Sequence, residues 1–129
     1  MTLVRIGWRL THKAPPLSEA LAGWEKLVAR ATHSLFYVLL LALPLLGWAM
    51  VSASSHRFPL KLFSAIPWPL LPLPASKPLH EFFGEAHEYA AYIAIALIVL
   101  HVAGALKHYF INRDDVLSRM LPALKPPAK

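Results

Sequence analysis

Two stretches of eighteen residues carry no charged side chain, and they limit what this chain can fold into more than any other feature. The first runs from Ser34 to Val51, "SLFYVLLLALPLLGWAMV", and the second from about Tyr89 to Leu106. An apolar run of this length is about enough for one helix across the hydrocarbon core of a bilayer. Composition agrees: 57% of the 129 residues are hydrophobic, 16% are charged, and the mean hydropathy is +0.47. A soluble domain of this size is usually less apolar. The sequence therefore predicts an all-α membrane protein whose two transmembrane helices lie in a lipid bilayer.

Within the first span, Pro44 removes the bond to the carbonyl of Leu40 and predicts a kink, which membrane helices tolerate when neighbours cover the freed group. Gly47, one turn on, predicts close packing. Between the spans, residues 58–79 hold six prolines, so a regular helix there is not expected despite the apolar composition. The segment predicts an extended, partly interfacial external loop with Trp68 at the headgroup level. No internal repeat is present.

The chain is basic, with 13 Lys and Arg against 7 Asp and Glu. Five basic residues precede the first span (Arg5, Arg9, Lys13, Lys26, Arg30), three lie between (Arg57, Lys61, Lys77), and five follow the second (Lys107, Arg113, Arg119, Lys125, Lys129). Because these charges flank apolar runs, they are read as topology signals and not as a nucleic-acid footprint. The positive-inside bias puts both termini in the cytoplasm and the proline-rich loop outside. The tail "KPPAK" predicts disorder. No secretory signal is evident, since Arg5 and Arg9 interrupt the opening before an apolar core can form. The absence of cysteine excludes disulfides, thiolate metal sites, iron–sulfur clusters and thioether-linked haem, so any haem is held without covalent attachment.

Seven histidines are present: His12, His33, His56, His80, His87, His101 and His108. His12 and His56 read as solvated flank residues, and His80 similarly, raised somewhat by its nearness to His87. His101 differs, because an ionisable side chain inside a span is costly and functional by default. It is either a metal ligand or a histidine hydrogen-bonded to a neighbouring helix. His87 lies fourteen residues earlier, at the head of the same span. At about 100° and 1.5 Å per residue, fourteen steps return to within roughly 40° of the starting direction and put the two rings about 21 Å apart. Between and beyond them on that face lie Ala90, Ala91, Ala94, Leu97, Ile98, Gly104, Ala105 and His108. Small residues beside each imidazole leave room for a flat macrocycle, or else allow close helix packing. Bis-histidine haem suits neutral imidazoles without cysteine. A zinc protease does not fit: "HEFFG" after His80 and "HEYAA" after His87 lack the second histidine of H-E-x-x-H.

These stretches resemble the bacterial cytochrome b561 family of small di-haem membrane cytochromes, related to the cytochrome b subunits of nickel–iron hydrogenases. "ATHSLFYVLLLALPLLGWAM" (31–50) is similar to that family's third span, and "GEAHEYAAYIAIALIVLHVAGALKHYFINRDDVLSRMLP" (84–122) to its fourth span and tail. The opening "VRIGWRLTHKAPPL" resembles the end of the second span and the loop after it. The resemblance implies half of a four-helix haem-binding bundle that carries two haem b groups, the fourth helix giving one axial ligand to each. The matching positions are His87 for the haem near the outer face and His101 for the haem nearer the cytoplasm. The other two ligands come from the family's first and second spans, of which only the cytoplasmic end of the second has a counterpart in this chain. Met1 is then an internal start, a truncated gene's start or the edge of a fragment. His33 matches a family histidine that is not an axial ligand; here it is a secondary candidate for iron, as is His108.

The resemblance implies electron transfer by b-type haem in a respiratory or quinone-linked chain of the bacterial inner membrane. The implied partners are a quinone or redox protein and either the absent two-helix half or further copies of this chain. Two other classes stay open: a membrane remnant or assembly subunit that binds no haem, and a small histidine-lined transporter or metal carrier.

Overall fold

The computed structural model describes residues 2–12, 22–56, 59–114 and 116–120. In chain order the elements are helix α1 (Thr2–Thr11), helix α2 (Gly23–Ala53), strands β1 (Leu60–Leu62) and β2 (Ile66–Trp68), helix α3 (Lys77–Lys107), a π-helical turn (His108–Asn112) and helix α4 (Val116–Met120). Met1, Lys13, Arg57, Phe58 and the "KPPAK" tail, on which several expectations fall, lie outside the described residues.

Helices α2 and α3 are each 31 residues long, about 46 Å at 1.5 Å per residue. Both are long and apolar enough to cross a membrane. Each exceeds its uncharged run because charge marks where a helix leaves hydrocarbon, not where its hydrogen bonding ends. The start of α2 is set by Glu25, whose Oε2 accepts the Ala22 N–H at 3.0 Å while the Ala22 carbonyl accepts from Lys26. That is the backward-reaching half of a capping box. The helix continues through Pro44 to Ala53.

The start of α3 lies twelve residues ahead of the predicted span. The Ser76 carbonyl accepts the first intrahelical bond, from His80. Pro78 falls in the first turn, where its missing N–H has no helical partner to lose.

The chain divides into two units, residues 38–93 and residues 1–37 with 94–129. In the first, residues 59–76 of the proline-rich segment are not helical, residues 77–79, expected in the same loop, instead open α3, and the segment contains an antiparallel hairpin that the sequence does not announce, with Leu60 opposite Trp68, Lys61 opposite Pro67 and Leu62 opposite Ile66. The segment is laced to the end of α2. Trp48 Nε1 donates to the Pro69 carbonyl at 3.0 Å, Leu71 N–H to Ser52 Oγ at 2.9 Å, and Ser76 N–H to the Ala53 carbonyl at 3.1 Å. Ser52 is 1% exposed, and its hydroxyl in turn donates to the Trp48 carbonyl at 2.7 Å. These bonds satisfy backbone groups that prolines and the helix terminus leave over.

In the second unit, α2 begins beside the end of α3. Lys107 Nζ donates to Glu25 Oε1 at 3.3 Å, and Ala105 and Leu117 are buried. Arg113 adopts the left-handed conformation after the π-helical turn, and Asp114 N–H returns to the His108 carbonyl at 3.1 Å.

Candidate functional site

His87 stands in the unit formed by residues 38–93, partly buried against α2. Its Nδ1 lies 2.9 Å from the Leu43 carbonyl oxygen. A carbonyl can only accept, so Nδ1 carries the proton, and in the neutral ring Nε2 is left as a lone-pair donor. Gly47 eases this approach: a Cβ there would lie 3.3 Å from His87 Cε1 and 3.4 Å from Nδ1, close enough to press on the ring. The glycine expected to ease close packing thus seats an imidazole specifically.

His80, seven residues earlier, repeats the pattern with its Nδ1 2.8 Å from the Met50 carbonyl. Leu43 and Met50 are also seven apart, so two turns of α3 and two turns of α2 share one antiparallel register. Met50 is in the last turn of α2, where carbonyls lack helical donors. His80 is therefore accounted for as an interhelical hydrogen-bond donor.

His101 lies in the other unit. It meets His33 edge to face, with ring centroids 5.4 Å apart and planes at 68°, and Phe36 at 5.4 Å and 83°. Two imidazoles sharing one metal point nitrogen to nitrogen across bonds of about 2 Å each; an edge-to-face contact is a different arrangement. Gly104, three residues on, has no atom within 4 Å of where a Cβ would stand. Room beside His101 is therefore present.

His108 opens the π-helical turn, a distortion frequent at functional sites. Both of its ring nitrogens face carboxylates. Nδ1 is 2.6 Å from Asp114 Oδ2, and Nε2 is 3.8 Å from Glu25 Oε1. Asn112 Nδ2 also approaches Nδ1 at 3.1 Å. Asp114 Oδ1 accepts the Val116 N–H at 3.1 Å, so the same carboxylate starts α4. The arrangement is that of a charge cluster, with His108 as its centre.

The burial of α3 follows the small-residue face. In one unit His80, Phe83, Gly84, His87, Ala90 and Ala91 are partly covered; in the other Ala94, Leu97, His101, Gly104, Ala105 and His108 are covered or partly so. Ile98, placed on that face from its spacing, is exposed. An apolar cleft of about 440 Å³ lined by Ala42, Leu45, Leu46, Trp48, Ala49, Leu71 and Phe83 contains no histidine. It offers no ligand to a metal.

Residues 1–123 match the family described as prokaryotic cytochrome b561. The chain belongs to that family. It is 32% identical over 119 residues, 92% of this chain and 62% of the relative, to Cytochrome b561 homolog 2 of Escherichia coli (strain K12). It is 31% identical over 103 residues, 80% of this chain and 56% of the relative, to Cytochrome b561 homolog 1 of the same organism. This chain therefore spans about three fifths of the length of the b561 relatives it matches.

Family membership implies b-type haem, and the donor set of this b561-family chain fits it. A histidine metal ligand almost always gives its other ring N–H to a carbonyl, carboxylate or water, which fixes the tautomer and ring orientation. His87 has that partner in Leu43. Two contributors were not legible in the sequence. The Leu43 carbonyl is a backbone group and leaves no compositional trace. The cluster of Glu25, Lys107, His108 and Asp114 joins residues far apart in the chain, with Glu25 and Lys107 alone separated by 82 positions. Only the seven-residue spacing of His80 and His87 carried a usable hint of shared register.

Proposed function

We propose that this chain is the partner half of a two-haem membrane electron carrier, acting as a single partial b561-like domain over residues 1–129. The observation that carries this reading is the His87 Nδ1–H bond to Leu43, which orients the ring so that Nε2 is the nitrogen turned to iron. His87 is the ligand for the haem nearer the outer face and His101 for the haem nearer the cytoplasm. His33 is a neighbour of His101, and His108 belongs to the charge cluster. Each iron takes its second ligand from outside residues 1–129, on spans like the family's first two.

Haem b, when bound, supplies one-electron redox chemistry between a quinone pool or other donor and an acceptor. The chain's own contribution is to fix two imidazoles on one helix, to seat His87 against Gly47, and to keep water away from them with apolar flanks.

Co-production with a helical hairpin bearing the family's first two spans is expected to give a protein with a sharp, dithionite-reducible b-type absorbance band. The absence of any band from a folded complex would favour the non-haem remnant instead.

The localisation that follows is the bacterial inner membrane, with both termini cytoplasmic and the proline-rich segment external, supported by the five, three, five distribution of basic residues. Reporter fusions after Trp68 should read as external and fusions at the C-terminus as cytoplasmic. The reverse pattern would exclude this orientation.

A further inference from the structure

The hairpin of β1 and β2 sorts its side chains by the twofold alternation of strands: Leu60, Leu62, Ile66 and Trp68 share one face, and Lys61 and Pro67 the other. An isolated two-stranded hairpin is marginal in water, so an apolar face of this kind needs a cover. Trp48 covers only part of it, with its ring 5.9 Å from that of Trp68; Ile66 stays 55% exposed and Trp68 44%. At the tip, Phe63 and Ser64 both have positive φ, 52° and 61°, and Ala65 N–H bonds to the Leu62 carbonyl at 3.2 Å. Such a turn strongly favours Asn and Gly, and a bulky aromatic there is strained. This strained Phe63 is 88% exposed.

Three further observations indicate the cover. No acidic residue occurs between Ser54 and His80, while Arg57, Lys61 and Lys77 do. Lys77 has Glu81 at 3.7 Å, which leaves Lys61 as the basic side chain on the hairpin itself. The hairpin is also tied through Trp48 to the last turns of α2, at the end of the first uncharged run. Finally, unpaired strand edges need water, so the hairpin is excluded from the hydrocarbon core but not from the headgroup layer. Aromatic side chains and lysine suit that layer.

We propose that the hairpin docks on anionic lipid headgroups, with Phe63, Ile66 and Trp68 entering the interface and Lys61, on the opposite face, reaching lipid phosphate along its four-carbon stem. The proposal rests on the reading of α2 as a membrane span, and its test separates the two. The chain has no cysteine, so single cysteines at Phe63, Ile66 or Leu40 can each carry one environment-sensitive fluorophore. The full chain is placed in vesicles of phosphatidylcholine with or without phosphatidylglycerol.

A label at Leu40 should be quenched by lipids spin-labelled near the chain end. Labels at Phe63 and Ile66 should be quenched by lipids spin-labelled near the headgroup and shielded severalfold from aqueous iodide. Lys61→Glu should lower headgroup quenching at Phe63 in vesicles with phosphatidylglycerol and leave it unchanged in phosphatidylcholine alone. A Leu40 label in lipid with Phe63 and Ile66 labels open to iodide overturns the docking while the span stands. Labels shielded from iodide and lipid alike, which points to a protein cover, also overturn it. A Leu40 label untouched by lipid removes both readings, and indifference to Lys61→Glu removes the anionic component.

Discussion

Replacing His87 with Ala in the complemented protein is expected to remove one of two b-type haems and leave the other reducible, and His101→Ala to remove the other. The two histidines are fourteen positions apart on α3, so they cannot bind one iron, and neither can stand in for the other. On the proposed assignment each iron takes one ligand from this chain and one from elsewhere. Haem content per complex, read from the reduced-minus-oxidised spectrum and by pyridine haemochrome, should fall by half in each single variant and to nothing in the double variant. The chain without its complement should hold haem weakly or only as an oligomer. Two haems held tightly by the monomeric chain would mean that the ligands are misassigned. Survival of both haems through both substitutions would remove the assignment altogether.

The spans were legible because a bilayer imposes one requirement, the absence of charge over about 30 Å, that sequence displays directly. The true start of α3 was not, because Lys77, Glu81, Glu85 and Glu88 are compatible with helix but not with hydrocarbon. A criterion built on charge therefore stopped at Tyr89. The hairpin was hidden for a different reason. Its strands are three residues each, Pro67 interrupts the second, and Phe63–Ser64 stands where Asn–Gly would have signalled the turn.

The candidate site divides in the same way. Residue type and spacing drew attention to His87 and His101, since an imidazole within an apolar run is costly. What fixes the His87 ring, the Leu43 carbonyl across the helix pair, depends on register between two segments 44 residues apart. The same limit applies to His108. On a single helix it continues the small-residue face toward a possible ligand role, and only the folded chain brings Glu25 and Asp114 to its two nitrogens.

Gly47 provides the sharpest separation between packing and ligand support. A Cβ at this position would lie 3.3 Å from His87 Cε1, a contact that a shift of a few tenths of an ångström in the ring relieves. Gly47→Ala is therefore expected to keep both haems, since alanine also favours the helix by about 1 kcal/mol over glycine. Gly47→Leu cannot be accommodated by so small a shift. Its branched side chain would occupy the ring's place against α2 and break the Nδ1–H bond to Leu43. Loss of an outer partner of this kind typically costs 10- to 100-fold in metal affinity. In the complemented protein, Gly47→Leu should weaken one haem by about that factor and leave the haem on His101 unchanged, as measured by haem titration of each site. The two variants differ in size but share a Cβ, so a loss in both would mean that the 3.3 Å contact alone displaces the His87 ring. An equal weakening of both haems by Gly47→Leu would mean general disruption of the helix pair, and the hydrogen bond from His87 to Leu43 would no longer explain how the ligand is held.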